Sequence, residues 1–314
     1  MKRRVLAMAL SLALTCSATL AAREPVADDV GRDALDVSAL AVSAERVYVG
    51  SFDAGLYVLE HDGALHPVQD PALDPNVNAL AWSERERTLW VGTARGLARC
   101  PAAGACTRLG PEAAVHALLV TASGALVAGG DAGVTFIEHG ELRTFGKKDG
   151  APFRSVWALA EDGDRLFAGT TSGLFWGAPT AFSRAHAELG RAAVVLNTLP
   201  DDWVTGLAYR DGTLTVGTYS AGIAVLGATA MALEPSALDP APGYVNPAGV
   251  VALDGGCLAL ATMDGLRVGA PNHTHTVPTR TRDVTAFVPD PRGGFWIGTR
   301  AGVEFWNGAC AALE

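Results

Sequence analysis

The sequence predicts an all-β protein, a seven-bladed β-propeller of four-stranded blades, on three observations. A ten-letter phrase, TLWVGTARGL at 88–97, returns as GFWIGTRAGV at 294–303. Variants of it recur about every 40 residues, the spacing of propeller blades. The strands within it are apolar at nearly every position rather than at alternate ones. Such strands are covered on both faces, as they are when sheets stack radially.

Ahead of the repeats stands a different kind of segment. Residues 1–22 begin with the cationic MKRR, continue as an apolar run and end in small residues. This is the pattern of a secretory signal peptide, with cleavage after Ala21 or Ala22. Cys16 does not make it a lipoprotein signal, because Ala13-Leu14-Thr15 is a poor lipobox. Loss of Lys2, Arg3 and Arg4 takes the net charge from −9 to −12. That acidity argues against nucleic acid and against anionic membrane surfaces. No later stretch reads as a transmembrane segment, so the expected location is periplasmic or secreted. Residues 23–36 read as a leader, with pairing to the last blade as the alternative, and 37–314 as the propeller.

Seven units follow, each an apolar strand, a polar turn, a strand ending in Gly-Thr, a tight turn, and a strand opening with Gly. They run 37–59, 77–100, 115–137, 156–176, 204–226, 250–268 and 284–306. The Gly before the turn falls at 50, 92, 129, 169, 217 and 298, with Ala261 standing in for the sixth. That Gly permits close backbone approach. The Gly after the gap supplies a conformation that a Cβ resists, and the Thr hydroxyl holds the turn. Gly-Thr-x-x-Gly is therefore read as structural rather than as a phosphate loop, since no helix pattern follows it. Fourth strands are expected at 64–69, 106–110, 141–146, 192–197, 273–279 and 310–314. A short helical turn fits 180–195. The Pro-rich 231–249 reads as a loop, either a contact arm or a tolerated insertion.

Without Cys16 four cysteines remain, an even number in an exported chain. Cys100 and Cys106 are expected to pair across a hairpin, which leaves Cys257 with Cys310. Four buried free thiols are the alternative. No pair has the Cys-x-x-Cys spacing of a metal site.

The phrases GKKDGAPFRSVWALAEDGDRLFAGTTSGL (146–174) and TLPDDWVTGLAYRDGTLTVGTYSAGI (198–223) go beyond generic propeller character. Over about residues 37–310 the chain resembles the two-component regulator propeller repeat family, whose units run Gly-Leu-Pro, Val-x-Ala-Leu-x-x-Asp, Leu-Trp-Val-Gly-Thr and Gly-Leu. In that family such propellers form periplasmic sensor halves of membrane-bound hybrid histidine kinases. The chain departs from this plan: it has one ring and no kinase. The resemblance implies a ring that binds a ligand or partner, not a catalyst.

Candidate binding residues follow from the repeat. The loops entering each innermost strand offer Asn76, Asn78, His116, Arg154, Trp157, Asp202, Trp203 and Asp283. The turns after Gly-Thr offer Asp53, Arg95, Asp131, Tyr219, Asp264 and Arg300. Loops on a rigid scaffold carry function, and aromatics beside Arg and Asp suit a carbohydrate or a protein partner. Ordinary turn residues on a solvated rim are the plain alternative. His116 and Trp157 share one repeat position with Ser38, Asn78, Thr205, Val251 and Thr285, a column that reads either as a graded pore lining or as drift.

Catalytic signals are thin. His273 and His275 lie on one strand face without a third ligand at motif spacing. Asp201-Asp202 sits in a turn of the repeat, and Gly-x-Ser-x-Gly is absent. Asn272-His273-Thr274 matches the weak glycosylation triplet. No cofactor or metal is expected. The leading reading is a non-catalytic ligand-sensing or protein-interaction module. One rival is a propeller enzyme, lyase or lactonase-like, with His116, Asp131 and Asp202 at the central channel. The other is a structural component of an envelope complex.

Overall fold

The computed structural model describes residues 35–308, apart from 61–62, 152, 164, 178–198, 229–232, 240–242 and 272. Seven antiparallel sheets form a ring of seven blades. Blade one holds β1 (Val37–Val42), β2 (Val47–Ser51), β3 (Leu56–Leu59) and β4 (Leu65–Pro67). Blade two holds β5 (Val77–Ser83), β6 (Thr88–Thr93), β7 (Gly96–Pro101) and β8 (Thr107–Leu109). Blade three holds β9 (Val115–Val120), β10 (Leu126–Gly130), β11 (Gly133–Glu138) and β12 (Glu141–Phe145). Blade four holds β13 (Val156–Glu161), β14 (Leu166–Thr170) and β15 (Gly173–Gly177). Blade five holds β16 (Val204–Arg210), β17 (Thr213–Thr218), β18 (Ile223–Ala228) and β19 (Leu233–Asp239). Blade six holds β20 (Val245–Ala252), β21 (Leu258–Thr262), β22 (Gly265–Ala270) and β23 (His273–Val277). Blade seven holds β24 (Val284–Pro289), β25 (Phe295–Thr299) and β26 (Gly302–Trp306). The innermost strands touch in sequence, and β24 meets β1 to close the ring.

The ring has no single core. Seven apolar clusters lie one at each seam between neighbouring blades. The repeated Gly explains how the seams lock. A Cβ on Gly50 would stand 2.5 Å from Val77 Cγ1, and one on Gly298 would stand 2.5 Å from Val37 Cγ1. At six seams the first Val of a blade thus enters a notch left by the preceding blade's Gly; before Val284 that position is Ala261. Val37, Val77, Val156, Val204, Val245 and Val284 are all fully buried there. The middle strands β2, β6, β10 and β14 are buried at every residue, as the unbroken apolar pattern predicts.

The tight turn works as expected. The hydroxyls of Thr93, Thr170, Thr262 and Thr299 donate to the carbonyls of Gly96, Gly173, Gly265 and Gly302 at 2.9, 2.9, 2.7 and 3.0 Å. Those glycines have φ of 123°, 107°, 119° and 110°, a region closed to ordinary side chains. The turn also stitches blades together. The N–H groups of Gly55 and Gly222 donate to Pro75 and Gly243 of the next blade's entering loop, both at 2.8 Å.

Several expectations need correction. Segment 231–249 is not one continuous loop: β19 (Leu233–Asp239) supplies the fourth strand of blade five, and β20 already begins at Val245. The sixth unit therefore starts at 245 rather than 250. Val245 pairs with Thr262 and Val250 with Leu260, so Pro247 and Ala248 form a two-residue insertion in the strand. The insertion pushes Val250 toward blade five, where a Cβ on Gly206 would stand 2.6 Å from Val250 Cγ2. Blades one to four have Ala at that register (Ala39, Ala79, Ala117, Ala158); the Gly makes room for the displaced strand. In the column of seven, Asn246 and not Val251 is the blade-six member.

The expected fourth strands of blades four and seven (192–197, 310–314), the helical turn at 180–195, Asn272, the signal peptide and leader residues 23–34 lie outside the described residues. Cys100 and Cys106 are disulfide-bonded. Cys257 is also in a disulfide, and its expected partner Cys310 lies outside the described residues. Among the described residues no helix is long and apolar enough to cross a membrane.

Candidate functional site: an aromatic arc on the loop face

The entering loops and the turns after Gly-Thr share one face of the ring. On blades three to six they carry five aromatic rings in a chain. His116 stacks on Trp157 at 4.0 Å with 2° between the planes. Trp157 meets Trp203 edge to face at 5.5 Å. Trp203 stacks on Tyr219 at 4.2 Å and 8°, and Tyr219 meets Tyr244 edge to face at 4.8 Å. Offset-stacked and edge-to-face pairs are the arrangements that ring quadrupoles favour.

Local polar groups hold the arc. The Asp201 carboxylate accepts from the Trp203 N–H at 3.0 Å and from the Ser220 N–H and hydroxyl at 2.9 and 2.8 Å. The Tyr219 N–H donates to the Trp203 carbonyl at 2.9 Å. Trp203 and Tyr219 are thereby pinned at both backbone and side-chain level. Partial burial pushes the Asp201 carboxyl up, but those bonds outweigh it and hold it below its ordinary value. At the other end His116 Nε2 bonds Asp131 Oδ1 at 3.1 Å, and the Ser155 hydroxyl donates to the same oxygen at 2.5 Å. Asp131 also experiences desolvation, yet the two hydrogen bonds hold its carboxyl below the usual value. Tyr244 is pushed up by burial, then by the nearby Tyr219 and Asp283.

Blades seven, one and two fill the same positions with charge. Arg300 donates to Asp283 at 2.9 Å and to both oxygens of Asp36 at 3.0 and 2.8 Å, and its guanidinium lies 4.4 Å above the Phe52 ring. Arg95 lies 3.8 Å from the buried Asp74. Asn76 donates to the Phe52 carbonyl.

The structure thus joins His116, Asp131, Trp157, Trp203 and Tyr219, and separately joins Asp283 with Arg300. Asn78 belongs to neither group. Its amide donates to the Val115 carbonyl at 3.1 Å, and Thr205, Asn246 and Thr285 bridge to Val245, Val284 and Val37 in the same way. That column is mostly a set of seam staples. Arg154, Asp202 and Asp264 are exposed on the rim. Asp53 is held within its own turn by the Ser51 hydroxyl at 3.3 Å.

The catalytic trio does not assemble. His116 and Asp131 are bonded, but the Asp202 carboxylate bonds neither. The Ser155 hydroxyl donates to Asp131 rather than to the imidazole, so His116 is not placed to take its proton. His273 and His275 lie 6.3 Å apart, and no cluster of three metal-ligating side chains occurs among the described residues.

Sequence reasoning missed Tyr244. Its signal was present: GYVNP at 243–247 aligns with DWVTG at 202–206 once the sixth unit starts at Val245. Ser155, Met263 and the clamping role of Asp201 were also missed.

The molecule is a seven-bladed β-propeller with an aromatic arc over one half of its loop face. No family model matches the chain, and no curated protein sequence does. Solved structures match in fold. The extracellular domain of BT4673 from B. thetaiotaomicron, described both as a one-component and as a hybrid two-component system, superposes with TM-score 0.68 at 16% identity, covering 88% of this chain and 39% of that one. A chain of the mitotic checkpoint complex gives TM-score 0.69 at 17% identity over 98% of this chain and 99% of that one. PorZ, a surface component of the type-IX secretion system of Porphyromonas gingivalis, gives 0.62 at 16% over 88% and 37%. The chain spans about two fifths of the BT4673 chain. At these identities the likeness is one of fold.

Proposed function

We propose that the chain is an exported, non-catalytic propeller that binds a protein partner or a small ligand, a carbohydrate being one such class, on the loop face over blades three to six. The aromatic arc carries this reading. It is held by hydrogen bonds at Asp131 and Asp201, it spans four blades, and within it Tyr219 remains 41% exposed, as does Met263 at 52% in the matching turn of blade six. These are the two exposed large apolar side chains among the described residues. Rigid aromatic rings on a preformed surface lose little entropy on binding and dominate interface energetics. The disulfides support an oxidising compartment, as does the cationic-then-apolar start of the sequence. The resemblance to regulator propeller repeats and the fold shared with the extracellular domain of BT4673 support a sensing or interaction role.

The test is capture from the native envelope after mild cross-linking, with partners identified by mass spectrometry, alongside an oligosaccharide array. The wild-type protein is expected to retain one partner or glycan. Tyr219→Ala is expected to lose it, and Arg300→Ala to keep it. Retention by Tyr219→Ala overturns the assignment to the arc.

A further inference from the structure

A cavity of about 190 Å³ lies in the central channel, apart from the rim. Its wall is built from the inner strands. The Ala–Leu pairs of blades one to four supply most of the apolar surface, with Phe287 opposite. Ser38, Asn78 and Trp157 supply the polar groups, and Pro247 and Ala248 complete the lining.

The last two are the insertion in β20. Ala248 has φ 55°, a strained value for a residue with a Cβ. The strand reaches across the channel toward β9 and β13. The insertion thus gives the channel a wall that the plain repeat does not build.

The chemistry of the lining narrows the occupant. No lining residue carries a charge, so an ionic ligand would find no counter-charge in the channel wall. The volume suits one ring, since an apolar cavity of roughly 150 Å³ accepts benzene. Trp157 and Phe287 offer aromatic surface. Ser38 Oγ and Trp157 Nε1 are buried without a hydrogen-bond partner. In the other blades with a short polar side chain at the Ser38 register, that side chain bridges to the next blade. Ser38 Oγ has the same reach as the bridging Thr205 and Thr285 hydroxyls but makes no such bond. Its hydroxyl is therefore free to turn about the Cα–Cβ bond toward the channel.

We propose that the central channel is a second binding site, sharing Trp157 with the aromatic arc but not its exposed end at Tyr219 and Met263, for a neutral one-ring aromatic molecule bearing a single hydroxyl or carbonyl group. The ring lies among the Ala–Leu pairs, Trp157 and Phe287, and the polar group bonds the Ser38 hydroxyl.

The experiment titrates the full chain with 4-fluorophenol, read by fluorine NMR. Saturable binding is expected with Kd of about 1 mM or tighter, the range open to a ligand of this size. Fluorine-to-proton Overhauser contacts to the methyls of Ala79 and Ala158 are expected to locate it. Ser38→Ala is expected to weaken binding about fivefold, one hydrogen bond's worth. Ala248→Phe, which puts a ring of its own in the channel, is expected to weaken it at least about tenfold. 4-Fluorobenzoate is expected to bind at least about tenfold more weakly, because its charge is uncompensated. Absence of saturable binding overturns the proposal. So do Overhauser contacts confined to the rim, or benzoate binding as tightly as phenol. If Ala248→Phe does not fold, the Overhauser contacts and Ser38→Ala decide alone.

Discussion

Two halves of the loop face occupy the same positions of the repeat and behave differently. Over blades seven and one those positions hold Asp36, Phe52, Asp283 and Arg300, a clasp in which each charge has a partner. Over blades four to six they hold Ser155, Trp203, Tyr219, Tyr244 and Met263, a surface with apolar area left over. The clasp lies where the ring closes between blade seven and blade one, without a covalent chain connection among the described strands. The arc lies between blades that follow one another along the chain. Closure explains the clasp. Nothing in the closure of the ring requires the arc, and that is why binding is assigned to it.

This contrast can be broken most sharply at the seams. Gly298→Ala drives a Cβ into Val37 at the closure seam, and overpacking of this kind costs about 3 kcal/mol. The blade-six counterpart already carries Ala261, so Ala261→Gly is expected to change stability by less than about 1 kcal/mol. Urea unfolding of both variants measures the difference. Equal effects would mean that the Gly–Val notch does not lock the ring.

The next effect separates binding from stability. Tyr219→Ala is expected to weaken partner binding by about 2 kcal/mol, the scale of an interface hot spot, while leaving the unfolding midpoint nearly unchanged. Arg300→Ala is expected to do the reverse. Its side chain is 47% exposed, so screening limits the stability loss to about 1 kcal/mol, reduced further at high salt.

Acid sharpens the contrast on the opposite face of blade seven. Asp290 accepts from Arg292 Nε and Nη2 and from Trp296 Nε1 at 2.9, 2.7 and 2.8 Å. The bond from the Arg292 guanidinium holds its carboxyl down to about 2. A lowered folded value stabilises above the unfolded value, and that contribution disappears as pH falls through about 2. The shift corresponds to about 2 kcal/mol at neutral pH. Asp290→Asn is expected to lose that amount at pH 7 and to match the wild type near pH 2. A constant difference across that range would show that the carboxylate charge is not the cause. The smallest effect is expected at Asp131→Asn. The amide oxygen can still accept from His116 and Ser155, so the variant removes only the charge of the bond and costs less than about 1 kcal/mol.

Much of this was legible in the chain. The first Val of each unit, the Gly that receives it and the Thr that braces the turn recur because each seam repeats one packing problem. A reader of the letters can see that repetition. Blade six was misread because Pro247 and Ala248 interrupt the period, and a periodic reading discards the residues that do not fit. Tyr244 was lost with them, and β19 was mistaken for a loop because its Pro and Ser resemble turn chemistry.

The sequence by itself determined the number of blades, the strand order within each blade and the turn that ends each second strand. These depend on local backbone preference and on the burial of short apolar runs, and both are written in neighbouring letters. Only the tertiary structure decided which rim residues meet. His116 and Tyr244 are 128 positions apart in the sequence, yet four ring contacts through three intervening rings link them. That adjacency follows from the angle at which successive blades pack, a property of the assembled ring that no single repeat contains.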